Sequence, residues 1–123
     1  MLEFYSIDDE KNEVHYMSSY ERQCDTFIFD DKSVEDTKVL LTIGSVSRIK
    51  REGKITMDFW YDLENLTQGI YENDMGLSVM FTIKTKELFF KNNTFNVSYD
   101  LYLDNDKLSS HRIIIKLFWQ LKM

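Results

Sequence analysis

The stretch that decides the fold is TFNVSYDLYLDNDKLSSHRIIIKLFW, residues 94–119. Large apolar side chains occupy every second position of its first half: Phe95, Val97, Tyr99, Leu101 and Leu103. This period of two, with polar residues between, is typical of a half-buried β-strand. Residues 104–107 (DNDK) predict a turn, because Asp and Asn tolerate left-handed backbone conformations. A second strand with alternating apolar positions follows, so the stretch predicts one long β-hairpin.

The same period of two recurs along the rest of the chain. Residues 55–62 and 77–83 show it most clearly, and no window of twelve or more residues keeps a helical period. Turn signals separate the short strands at intervals of roughly 8 to 12 residues. The pattern predicts a single all-β domain over residues 1–123, either an antiparallel sandwich or a meander β-barrel of about eight to ten strands.

Composition favours a protein of the cytoplasm. The single cysteine, Cys24, excludes an internal disulfide and fits a reducing compartment, where we expect a buried or inert thiol. Residues 1–9 lack the positive segment and apolar run of a signal peptide. No stretch approaches the ~18 apolar residues of a membrane span. We therefore expect cytoplasmic localisation and no membrane partner.

The net charge of −6 is concentrated at the N-terminal end, where residues 1–36 hold eleven acidic and three basic side chains. A net acidic chain disfavours nucleic-acid binding, which needs a basic face to neutralise phosphates. The one basic cluster is short: Arg48, Lys50 and Arg51. We interpret it as solvated side chains at a strand end rather than as a phosphate site.

No catalytic or metal-binding constellation is present in the sequence. His15 and His111 are the only side chains with a near-neutral pKa, and neither accompanies a nucleophile motif. One cysteine and two histidines without paired spacing do not predict a metal site. Asp58 and Asp62 share a strand face but lie too far apart to couple as acid and base. We expect a protein without enzymatic activity, metal or cofactor.

The barrel interior is the remaining candidate site. A barrel of about eight strands has room for a packed core or for one small ligand. Six aromatic side chains are predicted to face inward and to serve either purpose: Phe59, Tyr61, Tyr71, Phe81, Tyr99 and Trp119. Trp60 falls on the polar face of its strand, where it is either covered by a loop or part of an interaction surface.

Four short motifs occur in an order that resembles the YwiB-like proteins: residues 41–45 (LTIGS), 71–77 (YENDMGL), 83–88 (IKTKEL) and 97–103 (VSYDLYL). The resemblance runs from about residue 40 to 117. It implies a small bacterial cytoplasmic protein of unknown function with a calycin-like (lipocalin-like) β-barrel. The chain departs from the family pattern at Thr42, where an Arg is usual, and at Asn73, where a Thr is usual.

Residues 1–29 align only loosely with this family, so an N-terminal strand is expected to be missing. A missing strand leaves an open sheet edge, which favours pairing into a homodimer. Two functions follow as hypotheses: a binding module for a small, partly apolar ligand in the barrel mouth, or a protein-interaction module that uses an open edge strand around a packed core. An enzyme acting on a ligand inside the barrel is the third.

Overall fold

The computed structural model describes residues 1–118, which form one antiparallel sheet of eleven strands. The strands are β1 (Leu2–Asp8), β2 (Glu13–Ser18), β3 (Tyr20–Gln23), β4 (Thr26–Asp30), β5 (Lys38–Thr42), β6 (Val46–Glu52), β7 (Ile55–Asp62), β8 (Thr67–Asn73), β9 (Ser78–Lys91), β10 (Thr94–Leu103) and β11 (Asp106–Leu117). Their order in the sheet is β2-β1-β11-β10-β9-β8-β7-β6-β5-β4-β3. Within these residues no helix is long and apolar enough to cross a membrane.

The sheet curls into a nearly closed barrel. The rings of Phe4 on β1 and Phe29 on β4 lie 6.3 Å apart, although seven strands separate β1 from β4 in the sheet order. Only Ser19 separates β2 from β3, which lie at opposite ends of that order. The chain passes at this residue from pairing with β1 to pairing with β4, and so brings the two ends of the sheet together.

Residues 94–117 form the predicted hairpin. Phe95 on β10 pairs with Ile115 on β11, and both side chains are fully buried. The preceding turn has Asn92 and Asn93 at φ 53° and 59°, and two consecutive positive φ angles match a two-residue hairpin loop. The β10–β11 turn has Asp104 at φ 55°. Asparagine and aspartate tolerate this backbone region better than most residues, which is why these positions end the strands.

Three details of the predicted fold are corrected. There are eleven strands rather than eight to ten, in part because residues 14–20 are divided at Ser19. Residues 1–30 supply β1 to β4, so the expectation of a missing N-terminal strand is wrong. The irregular, polar sequence of residues 63–69 predicts a loop or a single helical turn, but β8 already begins at Thr67, and Gly69 pairs with Phe59.

The barrel core is packed with the inward-facing side chains of nearly every strand. Its buried members include Phe4, Leu41, Phe59, Val97 and Ile115. Burying apolar area at roughly 25 cal/mol per Å² is the main favourable contribution to folding of such a sheet. The core therefore occupies most of the interior, and any ligand site must lie where this packing ends.

Candidate functional site

The six aromatic residues predicted to face inward occupy different environments. Phe59, Tyr61 and Tyr99 are buried together, with ring centroids 4.8 Å apart for Tyr61 and Tyr99 and 6.3 Å apart for Phe59 and Tyr99. Phe81 is half-buried against Phe59, at 6.3 Å. Tyr71 is half-buried and lies outside the buried core cluster. Trp119 lies outside the described residues.

Trp60 lies on the outer face of β7 and is 40% exposed. The expectation that a loop covers it is wrong: the guanidinium of Arg48 lies over the indole, 4.5 Å from its centroid. Arg48 also donates two hydrogen bonds to Asp58, at 2.7 and 2.5 Å. Asp62 instead accepts from the backbone N–H of Glu64 in the following turn. Asp58 and Asp62 are each engaged with other partners and do not form an acid–base pair.

Polar side chains gather inside one end of the barrel, here called the Arg51 end. Ser47, Ile49 and Arg51 alternate along the inward face of β6, so the last of them enters the interior. The Arg51 guanidinium lies 5.7 Å above the ring of Phe4, and its Nε atom is 3.8 Å from Oδ2 of Asp31. The interpretation of Arg51 as a solvated strand-end residue is therefore wrong, because its side chain is only 28% exposed.

Asp31 is the acidic member of this end, and its side chain is 2% exposed. It follows β4 directly, and its Oδ1 accepts hydrogen bonds from the backbone N–H and the hydroxyl of Ser33. These bonds replace water at one carboxylate oxygen, as a buried charge requires. The other oxygen faces Arg51. The spacing between the two is longer than a hydrogen bond, so the pair interacts mainly through charge.

Tyr16 contributes a hydroxyl without a partner. Its ring stacks on Phe4 at 4.8 Å and 12°, and its hydroxyl makes no hydrogen bond within residues 1–118 although it is buried. Burial raises the pKa of Tyr16, and the negative charge of Asp31 raises it further. The phenol therefore stays neutral and remains a donor. A buried hydroxyl without a partner is costly, and such groups are commonly found where a ligand or water binds.

Tyr99 and His111 form the wall opposite β6. Their rings stack 5.2 Å apart at 20°, and Nε2 of His111 lies 2.6 Å from the Ser109 hydroxyl. Burial lowers the pKa of His111, and the positive charge of Arg51 lowers it further. Burial also raises the pKa of Tyr99. Near neutral pH both rings are therefore uncharged, and Arg51 and Asp31 provide the charge within the cluster.

A cavity of about 140 Å³ is bordered by Arg51, Tyr99 and His111. Its lining combines apolar and polar side chains: Ser6, Arg51, Met57, Phe59, Tyr99, Leu101, His111 and Ile113. A smaller cavity of about 40 Å³ shares Arg51, Tyr99 and three apolar residues with it and extends to Tyr61. An apolar cavity of about 150 Å³ in another protein holds benzene, so this volume suits a ligand of that size.

The opposite end of the barrel carries a larger depression of about 420 Å³. It is lined largely by apolar side chains such as Leu63, Phe89 and Phe90. Its two inner polar side chains already have partners, since the Ser47 hydroxyl donates to the carbonyl of Gly44 and Asp62 accepts from the backbone N–H of Glu64. The groups with unused hydrogen-bonding capacity lie at the Arg51 end, which makes that end the candidate site.

Two positions that depart from the family pattern lie away from this site. Thr42 is on the outer face of β5, where its hydroxyl lies 3.0 Å from that of Thr26. Asn73 ends β8, and its side-chain oxygen accepts from the backbone N–H groups of Met75 and Leu77. Cys24 lies in the β3–β4 turn and is exposed, so of the two alternatives the buried thiol is wrong, and the inert thiol stays a prediction.

The architecture and its packed interior define an antiparallel β-barrel protein. Over residues 5–115 the sequence matches the domain of unknown function DUF1934, and the chain belongs to that family. The crystal structure of the ywiB protein from Bacillus subtilis has the same fold, with a TM-score of 0.63 and 15% sequence identity. That alignment covers 94% of this chain and 88% of the other. A search of curated proteins finds no match.

Proposed function

We propose that this protein binds a small, partly apolar ligand in the cavity at the Arg51 end of the barrel. One observation carries the proposal: a polar cluster with unused donors borders a cavity in an otherwise packed apolar core. Small-molecule sites typically combine an apolar lining with a few placed polar groups. Met57, Leu101 and Ile113 supply the apolar part, and Arg51 and Ser6 the polar part.

The volume limits the ligand to about the size of one substituted ring. Drug-sized ligands occupy cavities of roughly 300 Å³ or more, which exceeds the volume at this end. We propose a non-enzymatic role, because the His111 ring is stacked on Tyr99 and its Nε2 atom is engaged with Ser109, whose side chain is not part of the cavity lining. The exposed free thiol of Cys24 is compatible with the reducing environment of the cytoplasm, where we propose the protein resides.

The test is a titration of ¹⁵N-labelled protein with three probes of benzene size: benzyl alcohol, benzamide and benzoate. We expect at least one probe to produce saturable amide shifts centred on Tyr99, Leu101 and Ile113. Leu101→Phe should abolish them, because the larger ring fills the cavity. Leu103→Phe on the same strand is the matched control, since Leu103 is 38% exposed and outside the cavity lining. Absence of saturable shifts with all three probes would contradict the proposal.

Protein interaction through an edge strand is the second candidate. Among the described strands, β2 pairs only with β1 and β3 pairs only with β4, so each has one side without a strand neighbour. Such edges can pair with a second chain. Light scattering of the purified protein tests the homodimer directly, and a monomeric mass across the micromolar range would rule it out.

A further inference from the structure

We infer that the ligand of this cavity carries an anionic head group of the carboxylate type, which the Arg51 guanidinium receives. The inference rests on the proposed function and specifies its ligand class. It depends on the balance of donors and acceptors at the Arg51 end of the barrel. An excess of donors there favours a ligand that brings acceptors.

The donors come chiefly from Arg51. A guanidinium has five N–H donors in a planar fork. The side chain of Arg51 makes no hydrogen bond within residues 1–118. Its one ion pair in that part of the chain, with Asp31, is 3.8 Å long and involves the Nε atom. The two terminal nitrogens can bind a carboxylate through two parallel hydrogen bonds. The guanidinium also lines the cavity, so a ligand there can reach it.

The carboxylate of Asp31 is already engaged at both of its oxygens. Oδ1 of Asp31 receives two hydrogen bonds from Ser33, and Oδ2 faces Arg51. The Ser109 hydroxyl is paired with Nε2 of His111. A cationic ligand would therefore meet a like-charged guanidinium and find no carboxylate among the residues that line the cavity. The Tyr16 hydroxyl, which also feels the charges of Asp31 and Arg51, is a further unpaired group near the same end.

Three other carboxylates near His111 could oppose an anion, but their geometry limits this effect. Asp100 is on the outer face of β10, where Ser110 and Lys86 engage it. Asp8 accepts hydrogen bonds from the backbone N–H groups of Glu10 and Asn12 and from the Asn12 amide, so its charge is held in the β1–β2 turn. Neither Asp8 nor Asp9 lines the cavity. Both lie at the exposed rim, where water and salt screen their charge.

The apolar walls determine the rest of the ligand. Met57, Phe59, Leu101 and Ile113 surround the space beyond the guanidinium, and the cavity holds about 140 Å³. A short hydrocarbon chain or a single ring fits beside these side chains. A small aliphatic or aromatic carboxylate thus satisfies both the charge and the shape of the site.

The experiment compares dissociation constants of benzoate, benzamide and benzyl alcohol, measured from amide shifts at the Arg51 end. The three have similar size, and only benzoate is charged. In the native protein we expect benzoate to bind at least about tenfold more tightly than benzamide, the factor that ~1.4 kcal/mol provides. In Arg51→Gln the two should bind within about twofold of each other. Arg51→Lys, which keeps the charge but not the fork, should restore part of the difference.

Arg48→Gln is the matched control, because Arg48 lies on the outer face of the same strand and should leave the ratio unchanged. Equal affinities of benzoate and benzamide at these amides would overturn the inference while leaving the proposed function in place. A persistent preference for benzoate in Arg51→Gln would overturn it as well. No binding of any probe would contradict both. The native-protein comparison needs no variant, so it holds even if a variant fails to fold.

Discussion

Nε of Arg51 and Oδ2 of Asp31 lie 3.8 Å apart inside one end of the barrel, where Asp31 is almost completely buried. Removing one partner of such a pair leaves the other charge without compensation. We predict that Asp31→Asn lowers the free energy of unfolding by about 1 to 3 kcal/mol in urea titrations, since the charged hydrogen bonds from Ser33 also weaken. Asp31→Asn should at the same time strengthen benzoate binding.

Asp30→Asn is the control for this variant. Asp30 is exposed and pairs with Lys38 at 2.8 Å, and an exposed pair contributes little to stability. Its loss should lower the free energy of unfolding clearly less than the loss of Asp31 does. If Asp31→Asn is no more destabilising than Asp30→Asn, then Asp31 is not part of a buried charge cluster.

Gly69 permits close packing between β8 and the core. A Cβ atom at this position would lie 2.7 Å from Cδ1 of Phe59 and 2.9 Å from Cδ1 of Ile83, both buried. We predict that Gly69→Ala lowers the free energy of unfolding by about 1 to 3 kcal/mol, because overpacking displaces well-packed side chains. At Gly44 the nearest atom to a new Cβ is the Val46 carbonyl oxygen at 3.3 Å. Gly44→Ala should therefore cost clearly less, and equal losses would contradict this account of Gly69.

His111 should make stability depend on pH as the pH falls through the ordinary histidine pKa of about 6.5. Burial and Arg51 lower its pKa below 6.5, while Asp8, Asp9 and Asp100 act in the opposite direction. Below pH 6.5 the unfolded chain takes up a proton that the folded chain resists, so stability falls as the pH falls. The slope cannot exceed about 1.4 kcal/mol per pH unit for one group. The stability should reach its full value at pH 7 and above, where His111 is neutral in both the folded and the unfolded chain.

Urea midpoints at several pH values measure this dependence. His111→Phe keeps a ring against Tyr99 and removes the titrating group, so we expect its curve to be flatter than that of the native protein. His15 is exposed beside Glu3, and His15→Gln serves as the control. A slope that His111→Phe leaves unchanged would assign the effect to another group.

Asp100 is a buried carboxylate on the outer face of β10. Lys86 lies 3.0 Å from it and Ser110 donates a hydrogen bond of 2.6 Å. Burial alone would raise the pKa of Asp100, but the bonds from Ser110 and Lys86 and the charges of Lys86 and Lys107 lower it below its ordinary value. A carboxyl whose pKa is lower in the folded than in the unfolded protein stabilises the fold at pH values above its unfolded-state pKa. This stabilisation is lost as the pH falls through its folded-state pKa.

We predict that Asp100→Asn destabilises the protein by about 1 to 2 kcal/mol at pH 7, the scale of charged hydrogen bonds. At acid pH, once the pH has fallen through the lowered pKa of Asp100 in the folded protein, the difference should shrink. Thermal unfolding of both proteins over a series of pH values from 7 into the acid range gives the comparison. An equal loss at every pH would indicate that the variant acts through packing and not through charge.

The strand pattern was predictable because alternation reports directly which residues a barrel buries. Residues 94–117 show this in both strands of the hairpin. The same rule could have identified Arg51, which shares its face of β6 with Ile49. It was missed because Arg48, Lys50 and Arg51 together are typical of a solvated strand end. When several basic residues are adjacent in sequence, composition suggests that all of them are solvated, although alternation places Arg51 on the inward face.

Asp31 could not be predicted from the sequence. It belongs to a loop, so no alternation of apolar and polar residues predicts whether its side chain points inward. Its burial depends on Ser33 and on Arg51, which is distant in sequence. The contact between Tyr16 and Phe4 likewise depends on how the sheet curls. Alternation predicts the outer-face position of Trp60. The stacking of Arg48 on its indole could not be predicted, because it depends on the pairing of β6 with β7, which places these two residues side by side although they are 12 positions apart in sequence.

The central claim is that the Arg51 end of the barrel holds a small ligand, and native mass spectrometry tests it most directly. The protein is purified without denaturation from the cells that produce it, alongside Leu101→Phe prepared in the same way. We predict one fixed additional mass per native chain, of the size of a small carboxylic acid, and its absence from Leu101→Phe. A bare native chain, or an additional mass that Leu101→Phe retains, would contradict the account.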